Sequence, residues 1–219
     1  MASAGSLADL RIVVSAGPTY EDLDPVRFIG NRSSGKMGFA IAAAAARRGA
    51  QVVLVAGPAA LATPDGVQRI DVRSAAQMHD AVLAQLPADV YIGAAAVADF
   101  TPRRFAAEKI KKREGEDGLV LELVRTRDIL ADVAGHASRP RLVVGFAAET
   151  GSVESNARAK LAKKRLDLIA ANRVGVEGSG FESDDNALVV YWNGGERALG
   201  PAPKTELADQ LLDLVAERL

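Results

Sequence analysis

The stretch MGFAIAAAAARRGAQVVLVAG, residues 37–57, shows the pattern that decides the fold. Its first part is rich in alanine and ends in Arg47, Arg48 and Gly49, two basic residues and a glycine that are typical of a helix C-terminus. Residues 51–57 follow at once as a short run of valine and leucine, which predicts a buried strand. A helix followed directly by a buried strand is the repeating unit of α/β proteins.

The same alternation continues along the chain. Further strands are predicted at 11–17, 67–72, 89–97, 119–124, 141–149 and 166–174, and further helices at 75–86, 126–137, 152–166 and 203–219. Ser74, Thr126 and Ser152 are predicted to cap three of these helices, and the NGGE sequence at 193–196 predicts a hairpin turn. We therefore expect a Rossmann-like, doubly wound, mostly parallel sheet, with an irregular basic flap at 101–118. In such a fold, ligands bind beyond the carboxyl ends of the strands.

The composition sets limits on size and partners. The 219 residues suit one large α/β domain, which we place at 11–219, with residues 1–10 as a flexible leader or linker. The 27 basic and 28 acidic residues nearly cancel, so nothing points to nucleic acid, and no apolar run approaches the ~20 residues that span a membrane. The absence of cysteine excludes disulfides, thiolate zinc sites and a cysteine nucleophile, and fits a reducing, cytoplasmic location.

The sequence GNRSSGKMG, residues 30–38, matches the beginning of a Walker A loop. Two requirements fail, because Met37 replaces the hydroxyl residue and the preceding strand ends near Gly17, thirteen residues before Gly30. Ser33, Gly35 and the start of the next helix nevertheless offer hydroxyls, close backbone approach and free N–H groups to an anion. The alternative is a Ser/Gly-rich loop that caps an ordinary helix.

The residues before this motif, GPTYEDLDPVRFI at 17–29, form a long loop with two prolines, of a kind that is usually functional. Within it, Arg27 is a candidate clamp for phosphate or carboxylate, and the alternative is a surface salt bridge with Glu21 or Asp24.

A second group of candidates follows the strand at 89–97. The alanines Ala94, Ala95 and Ala96 permit close approach by a flat or sugar-like ligand. Asp99 is a candidate for binding ribose hydroxyls or a metal ion, and the alternative is a helix-capping residue in a turn.

Three lysines complete an expected anion-binding rim. Lys109 lies in the EKIKK sequence of the flap, and Lys160 and Lys164 are spaced i, i+4 so that they share a helix face and can grip a polyphosphate. The alternatives are a solvated basic loop and a solvated helix face. Since no cysteine, histidine cluster or carboxylate pair accompanies these residues, the expected chemistry is electrostatic stabilisation of phosphate groups.

Several of these stretches resemble, in order and spacing, the phosphopantothenoylcysteine synthetase family. The resemblance rests on AGPTYEDLDPVRFIGNRSSGKMG (16–38), AAAVADF (94–100), EKIKK (108–112), VVGFAAET (143–150), LDLIAAN (166–172) and GFESDDNALVVY (180–191). It covers about 11–219 and is closest to the synthetase half of a bacterial bifunctional coenzyme A protein, whose flavin-dependent decarboxylase half precedes it in the native fusion. It therefore implies no flavin in this chain.

The resemblance implies a ligation of 4′-phosphopantothenate with L-cysteine that consumes CTP with Mg²⁺. The carboxylate attacks the α-phosphate to give an acyl-cytidylate, and the cysteine amine then displaces CMP. A homodimer with its sites near the subunit interface and a mobile KIKK flap is also implied.

The resemblance further assigns roles to matching positions. Asn31 and Lys109 match catalytic residues, and Arg27 and Asn31 match substrate-binding residues. The positions that match the CTP site are Ser33, Gly35, Ala94, Ala95, Ala96, Asp99, Lys109, Phe146, Lys160 and Lys164. The metal ligands stay unassigned. The chain departs from the family in reading TRD at 126–128 for the usual NPD, and ANR at 171–173 for AND.

Two other functions compete with a ligase. A dinucleotide-binding oxidoreductase is compatible with the fold, but no G-x-G-x-x-G follows the first strand, where SAGPT stands instead. A non-catalytic nucleotide-binding module would need neither Asn31 nor Lys109.

Overall fold

The computed structural model describes residues 7–112, 117–149, 151–173 and 184–219. In chain order its elements are β1 (Arg11–Ala16), β2 (Tyr20–Asp22), β3 (Phe28–Gly30), α1 (Lys36–Arg47), β4 (Gln51–Ala56), β5 (Val67–Asp71), α2 (Ala75–Leu83), β6 (Val90–Gly93), β7 (Phe100–Pro102), β8 (Leu123–Arg125), α3 (Ile129–Gly135), β9 (Leu142–Glu149), α4 (Val153–Lys163), β10 (Leu168–Arg173), β11 (Asp185–Trp192), β12 (Gly195–Pro203) and α5 (Lys204–Ala216).

An eight-stranded sheet in the order β12-β11-β10-β9-β6-β1-β4-β5 forms the centre of the molecule. The six strands from β10 to β5 are parallel, whereas β11 and β12 form an antiparallel hairpin at one edge. The chain moves outward from β1 to β4 and β5, and then returns to β6 on the other side of β1. The predicted Rossmann-like, doubly wound, mostly parallel fold is confirmed, and its switch point lies between β1 and β6.

Alternate residues of each strand enter two apolar layers, one on each face of the sheet. Ile12 and Val14 point toward α1 and α5, whereas Val13 points toward the opposite layer, where α2, α3 and α4 pack. Since both faces are covered, the inner strands read as continuous apolar runs. This double burial fixes the carboxyl ends of β1, β6 and β9 along one rim.

The loop at 17–29 differs from its prediction, because it contains a small antiparallel hairpin of β2 and β3. The rings of Tyr20 and Phe28 stack across this hairpin with centroids 4.0 Å apart. The strand predicted at 119–124 is also displaced, since β8 covers Leu123–Arg125 and pairs with β7 outside the central sheet. The β2–β3 and β7–β8 pairs are two-stranded sheets that are separate from the central sheet.

Two of the three predicted helix caps, Ser74 and Ser152, lie at the N-cap position of their helices, and the third prediction, Thr126, is wrong. Ser74 caps α2 in a reciprocal capping box with Gln77. Ser152 occupies the cap position of α4, but its φ of 50° turns it left-handed and its side chain makes no capping hydrogen bond.

The prediction that Thr126 caps the third helix is wrong. Asp128 is the cap, and its carboxylate accepts a hydrogen bond from the N–H of Ala131. The Thr126 hydroxyl instead donates to the carbonyl oxygen of Ala98 at 2.6 Å, so this threonine ties the chain before α3 to the loop after β6.

Residues 7–10, within the expected leader, pack against the domain. Leu7 is fully buried, and its N–H donates to the carbonyl oxygen of Arg48. At the other expected irregular segment, residues 103–112 adopt neither helix nor strand, and 113–116 lie outside the described residues. Within the described ranges, no helix is both long and apolar enough to cross a membrane.

Candidate functional site

Two cavities adjoin each other at the carboxyl ends of β6 and β9. The large cavity has a volume of about 610 Å³ and the small cavity about 360 Å³. They share Ala95, Val97 and Phe146, so the loop after β6 and the middle of β9 separate them. This is the position that the strand order predicts for a ligand.

The large cavity brings together five of the predicted residues. Ala95, Asp99, Phe146, Lys160 and Lys164 all line it. The TRD sequence at 126–128, one of the two departures from the family pattern, also lines this cavity. The other departure is Arg173 in the ANR sequence at 171–173, and its side chain is not among those that the structure describes.

Both lysines of the large cavity are held by carboxylates. Lys160 Nζ lies 2.6 Å from Glu149 Oε1, and Lys164 Nζ lies 2.8 Å from Asp128 Oδ2. Burial raises the pKa of Glu149, but hydrogen bonds from Lys160 and Asn156 outweigh burial and bring that pKa below its usual value. The two ammonium groups are therefore fixed at the wall by local ion pairs.

The small cavity contains the start of α1. Residues 33–38 line it, and no side chain caps the helix, whose N-cap residue Gly35 has a φ of 77°. A Cβ atom on Gly38 would lie 2.4 Å from Cβ of Ala16, so the helix touches the end of β1 directly. The start of α1, which no side chain caps, and the positive end of its dipole therefore lie at the small cavity.

This geometry agrees with the rejection of a Walker A loop. The motif at 30–38 follows β3, a strand of the small hairpin, and not a strand of the central sheet. The anion-binding features that remained after that rejection, Ser33, Gly35 and the helix start, are together in the small cavity.

Asn31 joins the two loops that form the small cavity. Its Nδ2 donates to the carbonyl oxygen of Val97 at 2.9 Å, and Asn31 and the run Ala94 to Ala96 line the cavity together. The same loop is fastened to the end of β1, because the N–H of Ala96 donates to the carbonyl oxygen of Gly17 at 2.9 Å. Asn31 is exposed at the mouth and accessible to a ligand.

Arg27 and Lys109 line neither cavity. The Arg27 guanidinium donates to Asp24 Oδ2 at 2.5 Å and to the carbonyl oxygen of Ile110 at 2.6 Å, so the salt-bridge alternative holds within this chain. The N–H of Ile110 donates to the same Asp24 carboxylate at 3.0 Å. Burial raises the pKa of Asp24, but hydrogen bonds from Ile110, Val26 and Arg27 outweigh burial and hold it well below its usual value. Asp24 therefore anchors the flap next to Lys109, which is itself exposed.

Sequence reasoning missed two residues of the small cavity, Asn186 and Lys204. Both are buried, with 8% and 7% of their surface exposed, and both line the cavity. Each breaks a local rule that offers a signal in the sequence. Asparagine is disfavoured in a strand such as β11, and a lysine in the first turn of a helix such as α5 opposes the dipole.

Among the residues that the structure describes, no group of three or more histidine, cysteine, aspartate or glutamate side chains is arranged to hold a metal ion. Magnesium bound with a nucleotide needs less, since the phosphates and water supply most of its ligands and one or two carboxylates suffice. The exposed carboxylate of Asp99, which lines the large cavity, fits that requirement.

Known proteins of similar sequence cover most of this chain. The Escherichia coli (strain K12) protein named coenzyme A biosynthesis bifunctional protein CoaBC is 52% identical over 208 residues, which are 94% of this chain and 51% of that protein. The Bacillus subtilis protein of the same name is 45% identical over 217 residues, 98% of this chain and 53% of that protein. The chain thus spans about half the length of these curated relatives.

Solved structures agree with the fold. The crystal structure of the C-terminal domain of coenzyme A biosynthesis bifunctional protein CoaBC superposes with a TM-score of 0.82 at 38% identity, covering 97% of both chains. A DNA/pantothenate metabolism flavoprotein from Streptococcus pneumoniae gives a TM-score of 0.79 at 22% identity over 95% of this chain and 99% of that one, which supports the fold alone. The family model described as DNA/pantothenate metabolism flavoprotein C-terminal domain matches residues 7–219. The resemblance seen in the sequence is confirmed, and the chain belongs to the family of DNA/pantothenate metabolism flavoprotein C-terminal domains.

Proposed function

We propose that this domain is the ligase that joins 4′-phosphopantothenate to L-cysteine at the expense of CTP, in the biosynthesis of coenzyme A. The observation that carries the proposal is the junction of the two cavities at Ala95 and Phe146, with Asn31 beside it. One cavity suits a nucleoside, the other suits anionic groups, and the reacting atoms belong where they meet.

The large cavity is the proposed site of the cytosine and ribose. Apolar side chains of Phe146, Leu166 and Ile169 offer packing for a base, while Asp99 offers a carboxylate to ribose hydroxyls. Lys160 and Lys164 are each paired with a carboxylate, which favours hydrogen bonding to the nucleoside over the polyphosphate grip that their spacing suggested. Because the side chains of Ala94, Ala95 and Ala96 are small, the phosphates can extend past them into the small cavity.

In the first proposed step, a carboxylate oxygen of phosphopantothenate forms a bond to the α-phosphorus of CTP. The bond from that phosphorus to the oxygen that bridges to the β-phosphate breaks, and its electron pair leaves with pyrophosphate. The uncapped N–H groups at the start of α1 oppose the negative charge that develops on the phosphates. Magnesium bound with CTP would supply further charge neutralisation, and the carboxylate of Asp99 would hold it as the alternative to its contact with ribose hydroxyls.

In the second proposed step, the cysteine amine attacks the acyl carbon of the cytidylate. The bond from the acyl carbon to the cytidylate oxygen breaks, CMP leaves with the electron pair, and the ammonium loses its proton to give a neutral amide. Asn31 is the residue proposed to orient this step, because its side chain is fixed by Val97 while the residue faces the mouth of the small cavity. Water must be kept from the mixed anhydride during this interval.

The roles of Lys109 and Arg27 in this proposal require the flap and a second subunit. Lys109 lies beside Ile110, which Asp24 and Arg27 hold, and it lines neither cavity, so the proposed role of Lys109 requires a movement of the flap. Exposed apolar side chains support a homodimer, and one of them, Phe100, lines the large cavity; they are Val26, Phe28, Phe100, Phe105 and Leu123. Native fusion to a flavin-dependent decarboxylase domain is proposed from the relatives, which are named bifunctional.

The experiment is a pyrophosphate-release assay with CTP, Mg²⁺, phosphopantothenate and cysteine, with the product identified by mass spectrometry. We expect pyrophosphate and CMP in equal amounts with one amide product. A folded protein that binds CTP but releases no pyrophosphate indicates the non-catalytic nucleotide-binding module. Binding of NAD or NADP in preference to CTP indicates the dinucleotide-binding oxidoreductase.

A further inference from the structure

The small cavity contains more positive charge than the motif at 30–38 accounts for. Lys204, the first residue of α5, and Lys36, the first residue of α1, both line it. Lys36 Nζ pairs with the exposed carboxylate of Asp184 at 2.7 Å. Two helices thus begin at one cavity, each with a lysine as its first residue.

Lys204 is costly where it lies. It is 7% exposed, and its ammonium opposes the positive end of the α5 dipole. Burial lowers the pKa of Lys204, nearby Lys36 lowers it further, and Asp184 opposes them only in part. The attraction of a bound anion would offset these unfavourable effects, which gives this position a physical reason to carry a lysine.

Asn186 provides an independent observation at the same place. Its side chain is 8% exposed and lines the cavity, and its Oδ1 is buried without a hydrogen-bond partner. An unpaired buried amide oxygen is unfavourable in the protein alone. Half a turn about the Cβ–Cγ bond exchanges Oδ1 with the NH₂ group and aims N–H donors at an anion.

We propose that Lys204 and Asn186, with the start of α1, form the subsite that binds the β- and γ-phosphates of the nucleotide and holds the departing pyrophosphate. This inference rests on the proposed ligase function, in which the nucleoside lies in the large cavity and the polyphosphate crosses Ala94 to Ala96. The distal phosphates then reach the end of the small cavity where the two helices begin. Lys204 and Asn186 are positioning residues for the leaving group and do not touch the acyl carbon.

Calorimetric titrations with CTP, CMP and inorganic pyrophosphate test the subsite. In Lys204→Gln, we expect affinity for CTP and for pyrophosphate to fall roughly tenfold to a hundredfold, the loss typical of one charge-assisted hydrogen bond. Affinity for CMP, which lacks the distal phosphates, should stay within about twofold. Lys204→Arg should recover most of the binding, and Asn186→Asp should weaken CTP and pyrophosphate because it adds a negative charge.

Lys163→Gln is the matched control, since Lys163 is an exposed lysine of α4 that lines neither cavity. If Lys204→Gln melts before the titration temperature, Asn186→Asp and Lys204→Arg carry the comparison. Equal losses for CMP and CTP, or no pyrophosphate binding by the unaltered protein, overturn the inference.

The two proposals fail in different ways. Pyrophosphate binding that depends on Lys204, in a protein that makes no amide from CTP, leaves the subsite and removes the ligase. Amide formation with unchanged CTP and pyrophosphate binding in every Lys204 and Asn186 variant leaves the ligase and removes the subsite.

Discussion

Replacement of Gly38 by alanine tests whether contact between α1 and β1 positions the anion site. Gly38 lies in the first turn of α1, and an added Cβ would lie 2.4 Å from Cβ of Ala16 and 3.1 Å from its Cα. Ordinary contacts begin at 3.4 Å, and Ala16 belongs to a central strand without a flexible end. The start of α1, which lines the small cavity, must therefore move away from β1 by about 1 Å.

The size of the effect follows from two opposing terms. Overpacking of this kind costs about 1–3 kcal/mol of unfolding free energy. Alanine recovers up to ~1 kcal/mol over glycine within a helix. We expect a net loss of about 1–2 kcal/mol, which lowers Tm by roughly 2–8 °C in a domain of this size. Activity should fall by about a hundredfold, because displacement by 1 Å misplaces the N–H groups that face the phosphates.

Denaturant unfolding and the pyrophosphate-release assay measure the two effects. Gly135→Ala is the matched control, because Gly135 also lies in a helix but its added Cβ would meet only Nη2 of Arg165, at 3.1 Å. That variant should keep full activity and equal or slightly greater stability. A Gly38→Ala protein with the activity and stability of the unaltered protein would show that the α1 contact does not position the site.

Three further predictions concern single side chains. Asn31→Asp should still release pyrophosphate but accumulate the acyl-cytidylate, visible by mass spectrometry, because it loses the amide that contacts Val97 and orients the second step; normal turnover to the amide contradicts that role. Lys109→Gln should lose pyrophosphate release while CTP still raises the melting temperature of the protein. Retained pyrophosphate release contradicts a role of Lys109 in the first step. The pKa of Lys204 in the free protein lies below the ordinary lysine value of 10.5, and a bound anion raises it because the anion favours the protonated lysine. Binding therefore takes up a proton, and pyrophosphate affinity should weaken as pH rises above the pKa of Lys204 in the free protein. Lys204→Arg should lack that part of the proton uptake in calorimetry with buffers of different ionisation enthalpy, whereas the titration of pyrophosphate itself is common to both proteins.

Elements that bury apolar surface on both faces could be predicted from the sequence. The helix at 36–47 and the continuous apolar strands through Val13, Val53 and Val143 alternate along the chain, and this alternation predicts a parallel sheet with a ligand-binding rim. The cap at Ser74 could also be predicted, because its partner Gln77 lies only three residues along the chain.

Contacts between segments that are distant in sequence could not be predicted. Thr126 has the composition of a cap, but its hydroxyl bonds to Ala98, 28 residues away, and Asp128 takes its place. Arg27, which stays a predicted substrate-binding residue, donates to Asp24 and also to the carbonyl oxygen of Ile110, 83 residues along the chain. Local propensity contains no information on such partners.

Lys204 and Asn186 were missed for a related reason. Each lies in a regular element that is well explained by packing, and only the tertiary fold brings the start of α5 and the start of β11 to the same cavity as α1. The signal in the sequence was a polar residue of a type that is unfavourable in its own strand or helix position. Such conflicts between local preference and the global fold are expected where binding, and not stability, selects the residue.

The hairpin of β2 and β3 explains how an ordinary doubly wound fold acquires this chemistry. In a dinucleotide-binding domain, a short glycine-rich turn leads from the first strand directly into the first helix. Here residues 17–35 intervene, yet Gly35 and Gly38 still return α1 to the end of β1, so the anion-binding helix start is retained. The inserted residues also place Asn31 against Val97 and Asp24 against Ile110 of the flap. The insertion that removes the dinucleotide fingerprint is thus the same segment that connects the helix start, the alanine loop and the flap, and the proposed ligase reaction uses these three parts around one phosphate.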